Sequence, residues 1–270
     1  MMITENQVTV NGLNVHYYEA GNPEHGTLLL LHGYLGDAWL HWEEALNGLQ
    51  DEYHIIAPDL PGYGQSDKLR RITVDRLVKW CVDLLDALKV DSAAVIGTSF
   101  GGGLVARLLA AHHPSRIVAA ILVNGGVIPA VPGCARGLAM TPVVGWLLYN
   151  RLAASQTGRG GLGGLFEDES FLTDAFVARV RAQRGAVARY MRAFTLMPSP
   201  EKRNPPVPVL LLWGEEDAIS PRVIAEGMRD HLPGSRLELI AGTRHMPHVE
   251  APDVFVWQVK QFLTELARSR

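Results

Sequence analysis

Short runs of consecutive apolar residues alternate along the chain with stretches whose apolar positions recur every three or four residues. The runs at 27–32, 53–58, 92–97, 117–123, 207–213 and 236–241 have strand length and are mostly apolar. That is the pattern of strands covered on both faces. Between and after them, 39–49, 74–88, 101–112, 222–231 and 254–268 read as helices. In the second of these, Val74, Leu77, Val78, Cys81, Leu84, Leu85 and Leu88 form one apolar stripe. Residues 7–12 and 13–20 alternate around Asn11-Gly12, a dipeptide suited to a tight hairpin turn. Strands alternating with helices build parallel βαβ units. The chain therefore reads as an α/β fold, a mostly parallel central sheet with helices on both faces and the hairpin at an edge.

Residues 127–206 break this rhythm. They offer no buried strand, contain Pro129, Pro132, Pro142, Pro198 and Pro200, and suggest two or three helical segments. We read them as a helical lid inserted into a core domain made of 1–126 and 207–270. The charge divides at the same boundaries. The insertion holds 10 Arg and Lys against 5 Asp and Glu, a net of +5, while the remainder carries −8. The plain reading is a solvated, arginine-rich helix surface. The functional alternative is steering of an anionic substrate.

Composition narrows the class. With 270 residues, 47% hydrophobic and 20% charged, the chain is long and apolar enough to bury a sizeable core. A formal net charge of −3 gives no basic footprint for nucleic acid. Cys81 and Cys134 make no disulfide framework and read as packing residues. The first residues lack the basic and apolar regions of a signal peptide. The longest apolar runs fall far short of the ~20 residues a membrane helix needs. The expectation is a soluble cytoplasmic protein, monomer or homodimer, with a small-molecule substrate and neither nucleic acid nor membrane as partner.

The strongest chemical signal is Gly97-Thr98-Ser99-Phe100-Gly101, placed after an apolar strand and at the start of a helix. In that context G-x-S-x-G is a nucleophile elbow, which exposes Ser99 at the carboxyl end of the sheet beside a helix N-terminus. A serine needs a base. Of ten histidines, His245 follows a predicted strand at the sheet's ligand-binding edge. His248 is its rival; His32 ends a strand, and His112-His113 close a helix. The orienting acid lies among Glu215, Glu216 and Asp217, and spacing alone leaves the choice open. His245-x-x-His248 lacks the companions of a metal site, so neither metal nor cofactor is expected. Gly158-Arg159-Gly160-Gly161-Leu162-Gly163 formally matches G-x-G-x-x-G, but it neither follows a strand nor opens a βαβ unit. It reads as a mobile lid loop.

Several stretches, in order, resemble the α/β-hydrolase fold family over nearly the whole chain. They are Leu31-His32-Gly33-Tyr34, the run from Ala57 through Asp59 to Asp67, the Ser99 elbow followed by Gly102, Trp213-Gly214-Glu215-Glu216-Asp217, and the run from His245 through Pro247 and Glu250 to Pro252. The resemblance implies a triad in the order Ser99, Asp217, His245. It also implies an oxyanion hole from the backbone N–H groups of Phe100 and Tyr34. An acid after an earlier strand, used by some members, is absent from Val123-Asn124-Gly125-Gly126. A serine at 99 argues against the epoxide hydrolases and haloalkane dehalogenases of this fold, which need aspartate there.

The implied activity is hydrolysis of a small ester, lactone or similar acyl substrate. A second branch also resembles the chain: carbon–carbon hydrolases of vinylogous diketone acids. Its marks are Ala38-Trp39-Leu40-His41-Trp42 and the run from Phe166 to Thr173. That branch implies a lid arginine for the substrate carboxylate, here Arg179 or Arg181, and it usually has Asn at the position of Thr98 and Trp at that of Met246. Trp39 and Met246 are candidate substrate-binding residues. Trp146, in an apolar run of the insertion, is a further candidate for the pocket wall. A non-hydrolytic lyase or cyclase, or a ligand-binding protein on the same fold, is the remaining alternative.

Overall fold

The computed structural model describes residues 2–126, 132–197 and 204–268. Pro129, Pro198, Pro200 and the first boundary of the insertion lie outside them. The strands are β1 (Thr4–Val10), β2 (Leu13–Ala20), β3 (Thr27–Leu31), β4 (His54–Pro58), β5 (Ala93–Thr98), β6 (Ile117–Val123), β7 (Val209–Gly214) and β8 (Arg236–Ile240). They form one sheet in the order β1-β2-β4-β3-β5-β6-β7-β8. β2 runs antiparallel to both neighbours, and from β4 to β8 every pairing is parallel. The edge hairpin turns at Asn11 and Gly12, both at positive φ (52° and 80°), as a two-residue turn between twisted strands requires.

The core helices are α1 (Ala38–Leu49), α2 (Val74–Ala87), α3 (Ser99–His112), α9 (Arg222–His231), α10 (Pro247–Glu250) and α11 (Pro252–Arg268). Alternate residues of each strand sort into two apolar clusters. Leu29, Leu31, Val95, Leu122 and Leu211 pack with α2, α3 and α9. Leu28, Leu30, Ile96, Ile121 and Leu212 pack with α1 and α11. Period-two strands with both faces apolar thus demand a helix layer on each side, and the continuous apolar runs of the sequence are that demand.

Between β6 and β7 stand α4 (Gly133–Met140), α5 (Pro142–Gln156), α6 (Arg159–Leu162), a 3-10 turn at Glu169–Phe171, α7 (Asp174–Ala182) and α8 (Arg184–Leu196). The sequence suggested two or three helical segments here. The larger number has a local cause: caps cut the periodic stretches. Thr141 accepts from Gly145 N–H with Pro142 opening α5, and Thr173 accepts from Phe176 N–H at the start of α7. The glycine-rich run at 158–163 is not an open loop. It carries α6, and Arg159 ties it to Leu172 O and Asp174.

Cys81 is buried as expected, but Cys134 is exposed. Among the described residues no helix is long and apolar enough to cross a membrane.

Candidate active site

Strand register brings the functional loops to one level. Leu31 pairs with Gly97, Thr98 with Val123, Val123 with Leu212 and Gly214 with Ile240. The carboxyl ends of four adjacent parallel strands therefore deliver Ser99 after β5, Asn124 after β6, Asp217 after β7 and His245 after β8. The loop 32–36 after β3 stands beside them.

Ser99 sits at φ 57°, a left-handed backbone for a non-glycine residue. This is the strain of an elbow held by packing around it. Its Oγ is 2.8 Å from His245 Nε2, and His245 Nδ1 is 2.8 Å from Asp217 Oδ2. All three side chains are buried. The carboxylate accepts at Nδ1–H, which leaves Nε2 bare to accept the serine proton. His248, the rival base, lies apart: it is fully buried, its Nε2 meets His41 Nδ1 at 3.1 Å, and burial depresses its pKa to about 3. Among the described residues no group of three His, Cys, Asp or Glu is arranged to hold a metal ion.

Asp217 is saturated. Oδ1 accepts from the N–H groups of Ile219 and Ser220 at 2.8 and 3.0 Å, and Oδ2 accepts from His245 and from Asn124 Nδ2. Burial opposes its ionisation, but the His245 hydrogen bond and charge, with the Ser220 and Asn124 bonds, outweigh it, and its pKa lies below the ordinary range. Asn124 is a residue the sequence reading passed over. It is completely buried, adopts φ 46°, and its Oδ1 accepts from Gly214 N–H at 3.1 Å. The signal was available, an Asn before Gly-Gly at a strand end, since Asn tolerates the left-handed region.

The loop after β3 closes the other side. A Cβ on Gly101 would lie 3.4 Å from Tyr34 N, and one on Gly33 would lie 3.2 Å from Ser99 Cβ. The Tyr34 amide thus borders the first turn of α3, where Phe100 contributes its own backbone N–H. The loop is fixed from behind: His41 Nε2–H donates to Leu35 O, Tyr63 Oη to Tyr34 O, and His32 Nδ1–H to Gly33 O.

The His245 loop is stitched to the inserted segment. His245 N–H donates to Leu165 O at 3.0 Å. Glu250 accepts from Arg244 N–H on one oxygen and from the N–H groups of Glu167 and Asp168 on the other, and Arg244 Nε donates to Glu167 at 2.6 Å. Arg244 is therefore held by Glu167 and does not line the cavity into which Ser99 opens.

Ser99 and His245 open into a cavity of about 970 Å³, walled by Tyr34, Leu165, Met191, Phe194, Ile219, Ile224, Met228 and Met246. Met246 is 1% exposed and joins an apolar cluster with Leu162, Phe166 and Phe176. The other expected pocket residues fall elsewhere. Trp39 packs on Tyr18 in the α1–α11 layer. Trp146 is 57% exposed on α5. Arg179 is engaged by Asp37, Nε to Oδ2 at 2.7 Å, because Asp37 caps α1 while 3% exposed and its charge needs a partner. Arg181 is exposed at the end of α7.

A family model described as "Alpha/beta hydrolase family" matches residues 28–258. The hydrolase YugF of Bacillus subtilis (strain 168) is 31% identical over 268 residues, covering 94% of this chain and 96% of that protein. Epoxide hydrolase 4 of Mus musculus is 28% identical, covering 96% of this chain and 78% of its own. Among solved structures, a membrane phospholipase A described as a novel bacterial virulence factor superimposes with TM-score 0.80 at 26% identity, covering 98% of this chain and 87% of that one.

Proposed function

The chain belongs to the alpha/beta hydrolase family and is a hydrolase, and from that premise we propose that it is a serine hydrolase acting on a small-molecule ester, lactone or similar acyl substrate. The observation that carries the reading is the unbroken Ser99–His245–Asp217 hydrogen-bond chain, whose Ser99 and His245 line a mostly apolar cavity.

His245 Nε2 takes the proton as Ser99 Oγ attacks the acyl carbon. The oxyanion that forms is received by the N–H groups of Tyr34 and Phe100; one such donor is worth about 10²–10³ in rate. The imidazolium, held by Asp217, then protonates the leaving group. A water molecule, deprotonated by the same Nε2, releases the acyl group and restores the serine. In this reading the inserted segment 127–206 acts as a lid that excludes bulk water and shapes the cavity.

Epoxide opening, named for one relative, is not supported: Ser99 occupies the position where the epoxide hydrolases of this fold need aspartate. Carbon–carbon cleavage of diketone acids is the weaker reading, because of the two arginines expected to meet the substrate carboxylate Arg179 is committed to Asp37 and Arg181 is exposed at the end of α7, neither lining the cavity.

The test is intact-mass analysis after exposure to a fluorophosphonate, alongside turnover of p-nitrophenyl esters. Wild type takes one adduct and Ser99→Ala none, with ester hydrolysis reduced at least about 10⁴-fold. Equal turnover by the two proteins overturns the reading. Stoichiometric ligand binding without turnover, unaffected by the substitution, replaces it with the binding-protein alternative.

A further inference from the structure

The cavity reaches beyond the triad: Arg107, on α3 eight residues beyond the nucleophile, also lines it. Two helical turns separate them, about 12 Å along the axis. No Asp or Glu lines the cavity among the described residues. Arg107 Nε is buried without a hydrogen-bond partner there, and burial alone depresses the guanidinium's pKa, with no neighbouring charge opposing it. Most other arginines described here have an acceptor: Arg116 meets Asp86, Arg159 meets Asp174, Arg179 meets Asp37, and Arg192 meets Ala139 O. A partly desolvated guanidinium facing an acid-free cavity is an incomplete arrangement, since a buried charge is normally paired.

Two further polar residues, both exposed, line the same cavity. His231, on α9, donates through Nδ1 to Gly227 O at 2.6 Å, so Nε2 is the ring's remaining polar atom. Asn204 gives one Nδ2 hydrogen to His231 O at 2.8 Å and keeps a second. Ile224, Met228, Met191 and Phe194 supply apolar wall to the same cavity. One cavity thus holds the nucleophile, an apolar surface, and a cation with two hydrogen-bonding side chains.

We propose that this part of the cavity is an anion subsite, centred on Arg107, which selects acyl substrates whose chain ends in a carboxylate roughly two helical turns from the bond that Ser99 attacks. The proposal rests on the serine-hydrolase reading for its chemistry, though not for its binding. The apolar wall takes the methylene chain, and Arg107 takes the terminal carboxylate in charge-assisted hydrogen bonds. The unequal charge of the chain acquires a local meaning here: among the described residues the arginine facing the cavity lies on α3 of the core, and Arg179 and Arg181 do not face it.

Methyl half-esters of linear dicarboxylic acids from four to ten carbons, each compared with its neutral dimethyl ester, isolate the charge. The quantity read is the ratio of kcat/KM, half-ester over diester, at each length. In wild type the ratio exceeds one by about 10- to 100-fold, the range of hydrogen bonds to charged groups, and it peaks at the longer chains. In Arg107→Met it collapses toward one, and Arg107→Lys retains an intermediate value. A ratio at or below one for every length, or a preference untouched by Arg107→Met, overturns the proposal. Thermal melting establishes that each variant is folded; should Arg107→Met not fold, Arg107→Lys and Arg107→Gln carry the same comparison. Calorimetric titration of Ser99→Ala with monomethyl octanedioate separates the two readings. Arg107-dependent binding without turnover in wild type keeps the subsite and removes the hydrolase. Turnover of neutral esters with no Arg107-dependent binding does the reverse.

Discussion

Asn124 shows how much of a triad lies outside its three named residues. It fixes Asp217 Oδ2 from one side while His245 takes it from the other, and it ties both to Gly214 and to Arg244 O. Asn124→Ala leaves the carboxylate to swing and the buried Gly214 N–H unsatisfied. The expected outcome is a fall in kcat of about ten- to a hundredfold with KM little changed, from a loss of about 1–3 kcal/mol in hydrogen bonding. Steady-state kinetics and the rate of fluorophosphonate labelling read it; an unchanged kcat would assign Asn124 to folding alone. Ser99 was legible in the sequence because its motif is local; Asp217 followed only from the family resemblance, spacing alone having left Glu215, Glu216 and Asp217 open. Asn124 was not legible, since its role exists only once β6 lies between β5 and β7. Arg179 failed in the opposite direction: its residue type suited a substrate carboxylate, but Asp37, 142 positions away in the chain, reaches it first.

At the scale of elements, the alternation of strands and helices was readable almost throughout, because a strand buried on both faces writes its position as an apolar run. Most boundaries moved by one or two residues, as the helix placed at 101–112 begins at Ser99, and β1 begins three residues earlier than the hairpin pattern placed it. The elbow pattern suggests that glycine matters at 97 and 101; packing keeps the constraint at 97 and moves the other from 101 to 102. A Cβ on Gly97 would stand 2.3 Å from Gly102 O, and one on Gly102 would stand 2.0 Å from Leu31 O, whereas at Gly101 the nearest atom is 3.4 Å away. These are the contacts that let α3 lie against β5 and β3 and aim Ser99. Gly102→Ala should therefore cost about 1–3 kcal/mol or more through overpacking, with labelling of Ser99 lost in parallel. Gly101→Ala stays within about 1 kcal/mol of wild type. Urea unfolding of the two variants decides it, and equal midpoints would count against the packing argument. The inserted helices were harder to read, because caps and not periodicity divide them.

For the molecule as a whole, a cluster of buried histidines sets the response to acid. Burial lowers the pKa of His32, His41 and His248, the last to about 3. Unfolded, each binds a proton below about 6.5. The unfolded state then holds more protons than the folded one, so stability rises with pH and is lost as pH falls from about 6.5 toward 3. Each neutral histidine contributes up to about 1.4 kcal/mol per pH unit. Urea midpoints should drop steeply between pH 7 and pH 5, and less steeply in His248→Gln; a flat profile would mean that the cluster is charged in the fold. No sequence pattern announced this cluster, since His32, His41 and His248 come together only through the fold. The same holds for the clasp of Glu250, Arg244 and the 165–168 stretch, and it decides how molecules travel. Prising that edge open would pull on the peptide of His245 itself and unseat the imidazole. Among the described residues the exposed apolar part of the cavity lining, Ile219, Val223 and Ile224, lies in and just before α9, and under the proposed ester hydrolysis the acyl chain and the alcohol pass there in turn.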